Sequence, residues 1–184
     1  MMERYLRQLS DPRVTGLLWL LLRLGIGYQW LNAGLSKLTN PAWVGDQAPS
    51  ALHQFLLKSL SKTSGPSPDV FGWYAAWVRA VALPNELWYS TLVTFGEGLV
   101  GLALVLGLLT RWAAFFGAAM NLNYIFAGAA NANGYMLAAE SAMLFAGAGL
   151  TTYALDRWAM PAIRRWFAER RRLPRSTSRP AGAN

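Results

Sequence analysis

Four apolar stretches divide the chain, at about 15–36, 89–109, 113–130 and 134–155. A helix rising about 1.5 Å per residue needs roughly 20 residues to cross a hydrocarbon core about 30 Å thick, and these runs approach or meet that length. The Thr110-Arg111-Trp112 turn and the Ala129–Gly134 connection are short. The second, third and fourth stretches must therefore be successive antiparallel neighbours. The pattern predicts an all-α polytopic membrane protein, an antiparallel four-helix transmembrane bundle running up, down, up, down. Gly96, Gly98, Gly101 and Gly107 on the second stretch, Gly117 and Gly128 on the third, and Gly147 and Gly149 on the fourth would let its helices approach closely.

Between the first two spans lies a polar-punctuated loop, 37–88. It is broken at Asn40-Pro41 and at Ser64-Gly65-Pro66-Ser67-Pro68. Two short amphipathic helices are expected in it, Ser50–Lys62 and Asp69–Leu83, the second capped by Asp69 and ended by Pro84. Phe71, Trp73, Tyr74, Trp77 and Val81 make that second helix too apolar for water, so it should lie in the headgroup layer. Such a helix is either a lid over an opening on that side or a passive aromatic anchor. The last segment, 159–184, alternates arginines with Trp166 and Phe167 and ends in an Arg/Pro/Ser/Gly-rich stretch. It reads as a basic tail, helical on the inner leaflet and then disordered, whose charge serves orientation and anionic lipid rather than nucleic acid.

Composition sharpens this picture in three ways. Apolar residues make up 54% of the chain and charged residues only 14%, and the mean hydropathy of +0.22 averages the spans with the loop and tail. The net charge of +8 is uneven. Arg4, Arg7 and Arg13 precede span one, Arg111 lies between spans two and three, and Arg157 opens a series of arginines after Leu155. The positive-inside rule puts both termini in the cytoplasm of a multi-pass protein of the cell (plasma or inner) membrane, with the loop outside. The first span, with Arg23 inside it and no clear small-residue cleavage site, reads as a retained span rather than a signal peptide. Finally, the chain has no cysteine and one histidine, His53. Thiolate nucleophiles, iron–sulfur clusters, Cys-attached haem and bis-histidine haem are excluded within it, and no metal or haem site is expected. His53 reads as an exposed loop residue.

Charges inside apolar runs are costly, about 2.5–3.5 kcal/mol each on insertion scales, and mark sites by default. Arg23, Glu97 and Glu140 are such charges. Counted from the cytoplasmic side by helical rise, Arg23 and Asn121 lie near ~12 Å, Asn123 near ~15 Å, and Glu97 and Glu140 near ~18 and ~21 Å. The five fall in one central band. Arg23, Gly27 and Gly34 share a stripe of span one, Thr94, Glu97 and Gly101 one of span two, and Gly117, Asn121, Tyr124 and Gly128 one of span three. Glu140 shares its stripe with Met136, Met143 and Gly147. An Arg23–Glu97 pair is expected, with Asn121 satisfying leftover hydrogen bonds. It either locks the bundle or belongs to a polar pocket that moves protons, since two acids against one base leave a carboxylate without a cation. Gln29 and Asn32 would line an entrance or bond the loop. Tyr28 and Trp30 read as interface or packing residues.

Several motifs in order resemble the DoxX/DoxD family. They are Arg23 and Gly27, the AGLSKL end of span one, Pro84, the spacing of Glu97, Gly101, Gly107 and Arg111, Asn121, and the AGAGLTTYALDRW close from Ala146 to Trp158. The resemblance covers spans one to four, within one four-span domain of 1–158, and leaves the loop and the tail as the variable parts. It implies respiratory or redox association, the DoxD branch being the membrane subunit of thiosulfate:quinone oxidoreductase. On that reading Glu97 and Glu140 are the catalytic, proton-handling candidates, and Arg23, Asn121, Asn123 and Tyr124 the substrate or quinone contacts. The expected cofactor is quinone and the expected partners are the bilayer, the quinone pool and a second oxidoreductase subunit. A non-catalytic scaffold recruiting soluble redox partners is the alternative, and a small transporter a weaker one, since no internal repeat is evident.

Overall fold

A computed structural model describes residues 12–172, and among them every regular element is helical. The first helix, α1, runs unbroken from Pro12 to Leu38. A short turn, α2 (Pro41–Val44), is capped by Asn40, whose Oδ1 accepts the Ala42 amide at 3.0 Å. Then come α3 (Ser50–Ser61), α4 (Gly72–Trp77), α5 (Glu86–Leu106), α6 (Thr110–Phe126), α7 (Asn131–Phe145) and α8 (Asp156–Arg172).

Three expectations fail along the backbone. Pro84 does not end a helix, nor does Asp69 cap one, for Phe71 takes the N-cap position without a side-chain bond. From α4 the chain passes through a π turn, Val78–Ala82, and a 3-10 turn, Leu83–Asn85, straight into α5. A proline clashes with the carbonyl four residues back. The π turn widens the spiral just there, the Leu83 amide reaching the Val78 carbonyl. The fourth apolar stretch is also not one helix. It stops at Phe145, turns extended at Ala146, makes a 3-10 turn over Ala148–Thr151, and restarts at Asp156. Arg111 stabilises that break by donating to the Leu144 and Ala146 carbonyls at 3.3 and 2.5 Å.

Two helical runs, Arg13–Leu38 and Gly72–Leu106, are long and apolar enough to cross a membrane. Helices α6 and α7, at 17 and 15 residues, are shorter. Helices α1 and α5 are antiparallel and touch through glycine. A Cβ on Gly34 would lie 2.4 Å from the Gly98 amide nitrogen, and one on Gly101 would lie 2.2 Å from that of Leu31. Gly27 faces Leu104 and Val105 in the same register. Helices α6 and α7 form the other closely packed pair. Ile26, Trp30, Leu104, Ala114 and Met143 make the core between the pairs, while Leu17, Leu18, Leu21, Leu99 and Phe116 point outward, exposed. The loop folds onto one end of the bundle around Leu52, Leu56, Val70, Tyr74 and Val78. The region beyond residue 172, with the end of the tail, lies outside the described residues.

Candidate functional site

Glu97 projects from the glycine-bearing face of α5, and only 2% of its side chain is exposed. Its Oε2 lies 2.5 Å from Lys37 Nζ, and its Oε1 accepts from the Tyr124 hydroxyl at 2.5 Å. Lys37 also sits 5.0 Å from the Trp43 ring centroid, within range of a cation–π contact. Glu140 is fully buried one layer behind. Trp30 Nε1 donates to its Oε1 at 2.5 Å and Asn121 Nδ2 to its Oε2 at 2.7 Å. Gly117 makes room for it: a Cβ there would meet Glu140 Oε1 at 2.2 Å. Asn121 Oδ1 is buried without a partner among the described residues. Each carboxylate thus has both oxygens held, Glu97 by a cation and a phenol, Glu140 by two neutral donors.

The expected Arg23–Glu97 pair is not formed. Gly27 faces Leu104, so Arg23 is level with Gly107, about ten positions and roughly 15 Å of helix from Glu97. A Cβ on Gly107, whose φ is +68°, would overlap the Arg23 guanidinium. Arg23 Nη2 donates to the Tyr153 carbonyl at 2.9 Å and the group lies within electrostatic reach of Asp156. Asp156 in turn accepts the amides of Leu109 and Thr110 at 2.6 and 2.8 Å. Arg23 therefore secures the end of the bundle remote from the loop. Depths measured from assumed helix ends placed it too centrally, because α1 begins well below the end of α5. Asn121 bonds Glu140 rather than completing an Arg23–Glu97 pair. Asn123 accepts from Tyr74 of the loop.

A cavity of about 380 Å³ opens beside this cluster, with Lys37, Glu97 and Tyr124 among its polar walls and Trp30, Trp43, Phe55 and Met136 among its apolar ones. Gln29 lines it too and accepts from Tyr135 at 2.5 Å, whereas Asn32 and Tyr28 are exposed. A smaller apolar cavity of about 60 Å³ lies across Phe55 and Tyr124, and Asn123 and Tyr74 line it. The loop thus covers this end of the bundle: Tyr74 and Lys62 bond into α6 and its C-terminal turn, while Phe71 and Trp73 stay exposed. His53 lies at the loop surface, its Nδ1 2.7 Å from Glu86.

Lys37 is a site residue that sequence reasoning assigned to the loop, while Trp30, read as an interface or packing residue, packs in the core and also bonds Glu140. Both continue the stripe of Arg23, Gly27 and Gly34 along α1 at helical spacing, which was the available signal. The spacing from Glu97 to Arg111 also acquires a physical reading. Glu97 takes the pair, Gly101 the contact with Leu31, Gly107 the left-handed turn over Arg23, and Arg111 the end of α7.

Among the described residues, an all-helical fold with two apolar helices of membrane-crossing length, exposed apolar side chains and charges buried at helix contacts has the features of a small helical membrane protein. The DoxX family model matches residues 18–130, more than half of the sequence, and the chain belongs to that membrane-associated family. No curated protein and no solved structure matches it.

Proposed function

We propose that this chain is a four-span inner-membrane protein whose loop-side cavity binds the headgroup of a quinone. In this reading it serves as a subunit of a thiosulfate-oxidising, quinone-linked system. Helices α6 and α7 complete the four spans, local thinning accommodating their shorter length, and the arginine-rich termini face the cytoplasm. The observation that carries the reading is one cavity with aromatic walls and a Lys37–Glu97–Tyr124 cluster in it. Its volume is in the range of small-molecule sites, and few, convergent polar groups are what fix a ligand's orientation there.

The residues fit such a group. Trp43, Phe55 and Tyr124 offer ring surfaces, while Lys37 and Tyr124 carry donors for carbonyl oxygens. A bound quinone supplies an acceptor for two electrons and two protons. Glu97 holds a proton position within the cavity wall. Glu140, joined to the wall through Trp30, holds a second one shielded from water. Arg23, at the other end, has no part in ligand contact. Since the chain has no cysteine, electrons come from the sulfur anion directly or through a second subunit.

Thiosulfate-dependent quinone reduction, assayed on the purified protein alone and with its co-purifying partners, tests this. Turnover in either preparation is expected, with Glu97→Gln lowering it at least about tenfold, a modest share of the effect of a positioned proton carrier. Quinone binding without turnover in both preparations would leave the scaffold role instead. Lack of quinone binding would remove the cavity assignment altogether.

A further inference from the structure

The end of the bundle away from the loop holds a different cavity, of about 430 Å³. The turn before α6 and its first residues supply Leu109, Arg111 and Trp112, and the start of α8 supplies Asp156, Arg157 and Met160. The charges here do not cancel. Asp156 is engaged on both oxygens by the Leu109 and Thr110 amides, and Arg23 faces it from inside the bundle. Arg111 is held by two carbonyls, which fix its guanidinium without neutralising it. The Arg157 side chain is exposed and makes no hydrogen bond or ion pair among the described residues. Three guanidinium groups thus stand near one carboxylate, and two of them, Arg111 and Arg157, line the cavity with no carboxylate of their own.

The surroundings decide what kind of anion this suits. Leu109, Trp112, Leu155 and Trp158 are exposed at or beside the rim. On α8 Met160, three residues after Arg157, shares the cavity wall with it, and Ile163 follows at helical spacing. Basic cavities bounded by apolar, interfacial side chains suit a lipid phosphate with its acyl chains alongside, rather than a solvated ion. We infer that this cavity binds the headgroup of an anionic phospholipid from the adjacent leaflet. The inference rests on the membrane reading above and is independent of quinone or thiosulfate.

Native mass spectrometry of the full-length protein with phosphatidylglycerol and with phosphatidylcholine of matched chain length tests it. Preferential retention of phosphatidylglycerol is expected. Arg157→Gln should cut the preference about fivefold, the effect of one arginine near a lipid phosphate. Arg165→Gln, exposed on α8 outside the cavity walls, should change it less than about twofold on the same scale. Unchanged thermal unfolding of Arg157→Gln is expected from its exposure and excludes a folding artefact. Equal retention of the two lipids, or equal losses in the two variants, would overturn the specific site in favour of diffuse charge. Displacement of the lipid by millimolar glycerol phosphate would overturn the lipid assignment in favour of a free phosphate ester.

Discussion

Lys37 and Glu97 form an ion pair whose acid is almost entirely removed from solvent, and such pairs respond asymmetrically to mutation. Removing one partner strands a buried charge and costs about 3–5 kcal/mol, whereas removing both is far milder. Lys37→Met should therefore lower the thermal unfolding temperature in detergent sharply, and Lys37→Met with Glu97→Gln should recover more than half of the loss. Additive losses in that cycle would show that the two groups are not coupled. Both carboxylates were legible as buried, because an acid in an apolar run next to glycine has few other places to go. Their partners were not. Helical rise gives depth only relative to a helix end, and the level of α1 against α5 is set by glycine contacts between residues 27 and 34 on one helix and 98 and 104 on the other.

Those same contacts make a prediction about the helix pair. Gly34 and Gly98 touch, yet only one of them is indispensable. A Cβ on Gly34 would press on the Gly98 backbone, which cannot move aside as a side chain could, whereas a Cβ on Gly98 meets open space. Gly34→Ala is expected to destabilise by about 1–3 kcal/mol, as overpacking does. Gly98→Ala should be neutral or stabilise by up to about 1 kcal/mol through helix propensity. Thermal unfolding of the two variants, side by side, checks this, and equal effects would refute the close α1–α5 approach. At this scale the positions of α1, α3, α5 and α6 followed from hydrophobic runs and turn residues. The break after Phe145 did not, since it depends on Arg111 from α6 and on the Leu155 and Asp156 amides bonding the carbonyls that end α5. Local pattern carries no record of bonds supplied from elsewhere in the chain.

For the whole molecule the decisive quantity is orientation. The absence of native cysteine makes single-cysteine labelling direct. An impermeant maleimide should reach Ser64→Cys from outside intact cells and Glu169→Cys only in inverted vesicles, both positions being exposed. Labelling of both from the same side would exclude an arrangement with the loop outside and the tail inside. The packing of the bundle has a mechanical consequence too. Helices α1 and α5 adhere closely, as do α6 and α7, while α1 and α7 meet over little surface. Trp30–Glu140 and Gln29–Tyr135 are side-chain stitches across that seam, Glu97–Tyr124 joins α5 to α6, and each includes a residue of the loop-side cavity wall. The cavity therefore occupies the joint of a clamshell whose halves are helix pairs, and an occupant that exchanges those stitches for its own bonds would set how far the shell opens.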